Sequence, residues 1–203
     1  LWAGLTLTFQ LTALAVGGGL GLGLVLAVAR LSGIRPLAWA VAAYVNFLRS
    51  MPLILVIFWF YTLVPRITGT SVSGFYSVLI AFIMFEAAYY SEIIRAGISS
   101  VRRGQISAAL ALGLTKLQAM RYVVLPQAVR NMIPVLLTQS IVMLQDTSLV
   151  YVVGLRDFLT SAEIVASRDN RPTELYLFVA LLFLVICFSA SRLVGRLRRR
   201  YAL

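Results

Sequence analysis

Five apolar stretches alternate with short polar, arginine-bearing segments along this chain. A hydrocarbon core about 30 Å thick takes about 20 residues of helix at about 1.5 Å each, so each stretch is read as one membrane span. The first runs from about Leu5 to Leu31 and is rich in Leu, Val, Ala and Gly. No basic segment precedes it and it is longer than the apolar run of a signal peptide, so it reads as a span and not as a cleaved leader. The second, Leu37 to Val64, is interrupted by RSMP at Arg49 to Pro52. Proline removes a backbone donor and disfavours helix in the residue before it, which predicts a broken helix there. The third, Phe75 to Ile94, carries Glu86 and Glu92; the fourth, Ile133 to Val153, carries Gln139, Gln145 and Asp146; the fifth runs from about Glu174 to Leu193. The expected fold is all-α: a polytopic membrane protein of five transmembrane helices forming one domain over residues 1–203. Because the chain opens at Leu1 and not at Met, further amino-terminal residues are expected.

Between the third and fourth spans lies QISAALALGLTKLQAMRYVVLP, Gln105 to Pro126, small-residue-rich and lightly basic. Gly104 to Leu114 contains no proline and alanine fills positions 108, 109 and 111, so a short helix, a turn and a new helix start are expected, with Pro126 as a first helical residue. Ala109 and Gly113 stand four apart and would share a face with almost no side chain, which another protein can approach closely. Periodicity alone serves equally well for an amphipathic loop lying on lipid headgroups. A second small-residue cluster, GGGLGLG at Gly17 to Gly23, lies inside the first span with no strand before it, which argues against a nucleotide loop. Its spacings, Gly17 to Gly21 and Gly19 to Gly23, suit close helix packing in lipid, with a kink as the second option.

Composition agrees with lipid as the solvent: 61% of the 203 residues are hydrophobic, mean hydropathy is +0.92 and 12% are charged. The net charge of +11 does not mark a nucleic-acid binder, because the basic residues are scattered between apolar runs. Topology accounts for them. With the amino terminus outside, fourteen Lys and Arg fall on the cytoplasmic side, including Arg30, Arg49, Arg95, Lys116, Arg130 and Arg200, and four (Arg66, Arg156, Arg168, Arg171) fall outside. The loop at about 98–124 and the carboxyl terminus are then cytoplasmic, and the tail RLVGRLRRR is an anchor beside anionic membrane lipid. The chain has no His and a single Cys, Cys187, within an apolar span, which excludes an internal disulfide, Cys/His nucleophile pairs and metal sites built on those residues. No phosphate-cradling Gly-Lys-Ser loop is present either, so no cofactor is expected on this chain.

SAALALG, followed nine residues later by VVLP (Ser107, Ala108, Ala109, Gly113, then Val123, Leu125, Pro126), resembles the EAA loop of ABC importer permeases. That pattern is Glu-Ala-Ala, three residues, Gly, nine residues, Ile-x-Leu-Pro. Ser107 stands where the family has Glu, which removes a charge at the expected ATPase contact, and Val123 replaces Ile. RSMPLILVIFWFYTL is similar to the Arg-Gly-x-Pro-Leu segment of the polar amino acid permeases. RYVVLPQAVRNMIP is similar to their Leu-Pro-Gln-Ala-x-Arg-x-x-x-Pro, and QDTSLVYVV to their Lys-Asp-Thr-Ser-Leu. With Gln145 for Lys and LVYVVGLRDFLTSAEIVASRD after it, the chain looks most like the glutamate/aspartate subgroup. The resemblance implies a type I ABC importer permease of MetI-like fold in the bacterial inner membrane. It further implies a second permease subunit, identical or homologous, and ABC ATPase subunits that hold ATP and magnesium and receive Ser107, Ala108, Ala109, Gly113, Leu125 and Pro126. The resemblance also implies a periplasmic amino-acid-binding protein that delivers the substrate, and transport by alternating access.

Polar residues inside the spans are the candidate substrate contacts. A carboxylate at mid-bilayer costs about 2.5 to 3.5 kcal/mol on insertion scales, so Glu86 and Asp146 should face a cavity or a partner. For an acidic amino acid, Arg49 would bind a carboxylate and Glu86 or Asp146 the ammonium, with Thr147, Ser148 and Gln139 as weaker candidates. A buried ion pair with Arg49 is the competing reading of both carboxylates. A secondary carrier or channel would use the same carboxylates as ion sites, though without an internal inverted repeat, and a membrane enzyme would have only Glu86 and Asp146 as an acid and base.

Overall fold

The computed structural model describes residues 1–69 and 72–201; the side chain of Arg200, counted above with the basic residues, and residues 202–203 lie outside the described residues. Every regular element among the described residues is helical. Four helices are long and apolar enough to cross a membrane: α1 (Trp2–Leu31), α5 (Gly74–Ser99), a continuous helix from Lys116 to Val153, and α10 (Pro172–Tyr201). A bent pair is the candidate for a fifth: α2 (Arg35–Arg49) meets the limb running from Leu53 to Thr68 at 106°. The break falls at the RSMP segment, as its proline predicts. Pro52 is extended (φ −63°, ψ 132°) and Leu53 opens the next helix, α3 (Leu53–Phe58).

Three further prolines, Pro65, Pro126 and Pro134, stand inside helices without stopping them, the first two just after a widened turn. The limb after α3 widens into a π-helical turn at Trp59–Leu63 and continues as α4 (Val64–Thr68), with Pro65 at its start. The long helix does the same: α7 (Lys116–Ala119) leads into a π-helical turn at Met120–Val124, and α8 (Leu125–Asp146) begins with Pro126 in its first turn. In both, the wide turn ends two residues before the proline. A proline lacks the N–H for the i−4 carbonyl and its ring crowds that carbonyl, and a turn with one extra residue relieves both problems. The Gln127 amide then donates to the Val123 carbonyl at 2.9 Å, supplying a bond to the widened turn. Pro126 therefore lies ten residues inside a helix that opens at Lys116, and is not the helix start expected from the sequence.

α5 is the most enclosed span, with 61% of its most apolar stretch buried, and α10 the least, at 11%. α1 buries Gly4, Thr8, Leu11, Ala15, Gly19, Gly23 and Ala27: the first two face residues 157–161, and Gly19 and Gly23 lie in a seam of mostly small side chains along α5. The seam confirms the packing reading of half the glycine cluster. A Cβ on Gly19 would meet Glu86 Cβ at 2.8 Å and one on Gly23 would meet Tyr90 Cβ at 2.8 Å, whereas Gly17 and Gly21 face open space. α2 joins the core through Val41, Val45 and Leu48, and the Tyr44 hydroxyl donates to the Met84 carbonyl of α5 at 2.8 Å.

A helix that hydropathy does not announce, α9 (Phe158–Asp169), lies between the last two spans. Its amino end is capped by Asp157, whose carboxylate accepts from the N–H groups of Leu159 (3.2 Å) and Thr160 (3.0 Å). The Phe158 N–H donates to Thr8 Oγ1 at 3.2 Å, so α9 is fixed to α1. Asn170, in the left-handed region at φ 53°, ends the helix before Pro172 opens α10.

Candidate functional site

Glu86 sits on α5 with no exposed surface. Its Oε1 accepts from the Gln139 amide of α8 at 3.1 Å, and its Oε2 is buried without a hydrogen-bond partner among the described residues. One turn on, the Tyr90 hydroxyl shares a 3.1 Å hydrogen bond with Ser140 of α8. Gly19 and Gly23 of α1 close the junction from behind. These polar groups bind α5 to α8, which is the ordinary use of side-chain hydrogen bonds in a bilayer, and the glycines let α1 pack against the junction. In this conformation Glu86 has no accessible surface and is engaged with Gln139 in a helix-to-helix bond.

The long helix changes at Asp146 into a 3-10 turn, Thr147–Val153, stopped by Gly154 at φ 71°. Thr147 is fully buried and donates to the Leu144 carbonyl at 2.6 Å; Ser148 donates to the Gln145 carbonyl at 2.8 Å. Both hydroxyls serve the helix's own last turn. Asp146 is half-buried and takes part in no ion pair among the described residues. Arg49 is exposed at the end of α2, its guanidinium 5.4 Å from the Tyr89 ring centroid. The ion pair expected between Arg49 and Glu86 or Asp146 is therefore not formed. The carboxylate that draws arginines is Glu92, which accepts from Arg30 of α1 at 2.7 Å and from Arg95 at 2.5 Å, with Arg49 within electrostatic reach. Glu92 stands two turns from the end of α5, level with the end of α1, whereas Glu86 lies deeper in the bundle.

After α5 the chain turns at once into α6 (Arg103–Ala111). Gly113 follows in the left-handed region at φ 85°, and Leu114 N–H returns to the Ala109 carbonyl at 3.2 Å, closing the helix end. Thr115 then caps α7 reciprocally with Gln118: the Gln118 N–H donates to Thr115 Oγ1 (3.3 Å) and the Thr115 N–H to Gln118 Oε1 (2.8 Å). Gly113 thus lies beyond the helix and Ala109 is buried, at 4% exposure, so the two do not form the bare shared face expected from their spacing. The four-residue relation holds only while the helix continues, and Gly113 has already turned the chain. What the loop exposes is Ser107, Ala108 and an apolar tip, Leu112 at 85% and Leu117 at 78%. Leu125 and Pro126, at the start of α8, are also exposed.

Two clefts that the sequence reading did not anticipate flank α8. One, of ≈550 Å³, lies between α8 and α10 and is lined by Arg130, Asn131, Thr138, Ser191 and Arg198 together with apolar residues. A smaller one, of ≈290 Å³, lies between α5 and α8 beside Glu92 and Ser100. The available signal was Arg130 itself, four residues before an in-helix proline and close to an apolar run.

Long helices with buried polar junctions, and an apolar loop projecting outside the spans, define a polytopic helical membrane protein built to bear on another protein. Residues 19–203 match the family described as binding-protein-dependent transport system inner membrane component, and the chain belongs to that family. It is an amino-acid ABC importer permease subunit of the inner membrane, and the resemblance read from the EAA-like loop is borne out. It is 52% identical over 206 residues to the glutamate/aspartate import permease protein GltK of Escherichia coli O6:H1, covering 98% of this chain and 92% of that one. It is 37% identical to the probable glutamine ABC transporter permease protein GlnM of Bacillus subtilis, over 95% of this chain and 89% of the relative. Among solved structures, an amino acid ABC transporter crystallised with histidines superposes with a TM-score of 0.93 at 36% identity, over 98% of this chain and 92% of that one. The MetNI methionine transporter, at 23% identity and a TM-score of 0.67, shares the fold.

Proposed function

We propose that the chain is the permease of an ATP-driven importer for acidic amino acids, glutamate or aspartate. The observation that carries the substrate class is the 52% identity to a glutamate/aspartate permease along nearly the whole chain. ATP and magnesium are held by separate ATPase subunits, a periplasmic binding protein delivers the substrate, and a second permease completes the route. The fourteen-to-four asymmetry of basic residues supports a periplasmic amino terminus and a cytoplasmic α6–α7 loop. There the exposed Leu112 and Leu117 supply the apolar contact by which ATPase closure is transmitted. The route alternates in access as the ATPases open and close. Of the substrate candidates, Arg49 and Asp146 are the two charged groups that keep accessible surface.

Reconstituting the permease with its ATPase and binding protein in liposomes tests this reading. Labelled glutamate or aspartate should accumulate with ATP, and unlabelled acidic amino acids should compete while glutamine and arginine do not. Competition by neutral or basic amino acids alone would overturn the substrate class. Leu112→Ser with Leu117→Ser should lower ATPase retention on purification at least tenfold; full retention would remove the docking role from this tip.

A further inference from the structure

We propose that the cleft between α8 and α10 is an anion site that holds the carboxylate of an acidic amino acid at the basic end of the permease. This rests on the acidic-substrate reading given above.

Charge is the first argument. The ion pairs among the described residues engage Arg30, Arg95, Arg168 and Arg171, and neither Arg130 nor Arg198 is in one. Of the seven Asp and Glu side chains, Glu92 alone lies at this end among the described residues, and Arg30 and Arg95 occupy it. Two guanidiniums therefore line one cleft with no counter-ion among the described residues, and their planar forks match a carboxylate. An anion from outside the chain fits that gap.

The face on which the cleft opens is the second. α8 exposes Asn131, Thr138 and Gln145, seven residues apart each time. At 1.5 Å per residue these span about 21 Å of depth along one side of the helix. Thr138 donates to the Pro134 carbonyl at 2.9 Å, but the Asn131 and Gln145 amides at the two ends of this side would forfeit hydrogen bonds in hydrocarbon that lipid cannot supply. This side of α8 therefore borders water or another protein chain, and the cleft lies along a polar route.

The third argument is complementarity to a zwitterion with an extra carboxylate. Pro134 lines the same cleft and removes the intrahelical donor that the Arg130 carbonyl would have taken. The Asn131 amide nitrogen donates to Ser100 at 2.8 Å, which leaves its oxygen as an acceptor. Acceptors for an ammonium thus stand beside the donors for carboxylates. A volume of ≈550 Å³ holds a small molecule comfortably.

The test uses the assembled transporter in nanodiscs, with Arg130→Gln, Arg198→Gln, the double variant and the two Lys replacements. Three quantities are read: retention of labelled glutamate, co-purified lipid by native mass spectrometry, and thermal melting. The double variant should retain glutamate at least tenfold more weakly with unchanged melting, and lysine should restore part of the loss. If the double variant does not assemble, Arg198→Gln alone, on the exposed end of α10, should still show the weakening. Glutamate import with retention unaffected by these changes overturns the site and leaves the substrate reading intact. Anionic phospholipid kept by the wild type and lost from the double variant, with glutamate retention unchanged, would reassign the cleft to a headgroup. Import of neutral or basic amino acids only would overturn both readings together.

Discussion

Gly19 has room for a hydrogen and nothing larger. Even the methyl of Gly19→Ala would sit 2.8 Å from Glu86 Cβ and 3.3 Å from the Tyr90 ring, so α1 must lift off α5. Overpacking of this kind costs about 1 to 3 kcal/mol, and thermal melting in detergent should show that loss for Gly19→Ala but none for Gly21→Ala, whose Cβ meets open space. The sequence displayed two four-residue glycine spacings of equal quality, and nothing in it says which one faces α5. Asp157 carries a second prediction. Burial pushes its carboxyl above the usual aspartate range, against the opposing hydrogen bonds from Thr160 and Leu159. A raised value means the folded chain holds the proton longer than the unfolded chain. The resulting penalty is absent below the ordinary aspartate pKa and sets in as pH rises through the raised one. Asp157→Asn keeps a capping oxygen and removes the charge, so its melting temperature should be flatter across that window. Asp157→Ala loses the cap and should cost about 0.5 to 2 kcal/mol at every pH.

At the scale of elements, the loop between α6 and α7 turns on Gly113. At φ 85° any L side chain is strained, while a Cβ there meets nothing within 4 Å of this chain. Gly113→Ala and Gly113→Trp should therefore destabilise the isolated permease equally, by about 1 to 2 kcal/mol, and Gly113→Asn by less. Any further loss of transport in the Trp variant reports crowding against a docked subunit; equal transport by Ala and Trp variants would show that no subunit approaches there. The start of α7 was legible, because Thr115 followed by Gln118 three residues later is a capping-box pattern. The helix start was instead placed at Pro126, since a proline normally marks a first turn and the preceding π-helical turn that lets it sit mid-helix has no clear sequence signature. The break at Pro52 was read correctly because there the chain does stop.

For the whole molecule, hydropathy located the apolar part of each candidate span, but the fourth helix opens at Lys116, seventeen residues before the expected Ile133, and the fifth runs eight residues past Leu193. Hydropathy missed α9, whose polar residues resemble a loop until Thr8 and Gly4 of α1 are placed against its amino end. Partners of the intramembrane charges were beyond reach for a similar reason. Whether Arg49 meets Glu86 or Tyr89 depends on how each helix is rotated, and rotation is set by contacts such as the Gly19 seam. Orientation remains open to a direct measurement: in a Cys187→Ala background, Ser107→Cys and Ser167→Cys should react with an impermeant thiol reagent from opposite sides of the membrane. Both positions are exposed, and labelling of both from one side would reverse the topology. The uninterrupted run from Lys116 to Val153 has a mechanical corollary. Its 38 residues make a rod of about 57 Å at 1.5 Å per residue, longer than the bilayer core is thick. Pivoted near its middle, such a rod converts a tilt of about 10° into travel of roughly 5 Å at each tip, in opposite directions. A push delivered on one side of the membrane is thereby felt at full amplitude on the other, with no chain of intermediate contacts needed to carry it.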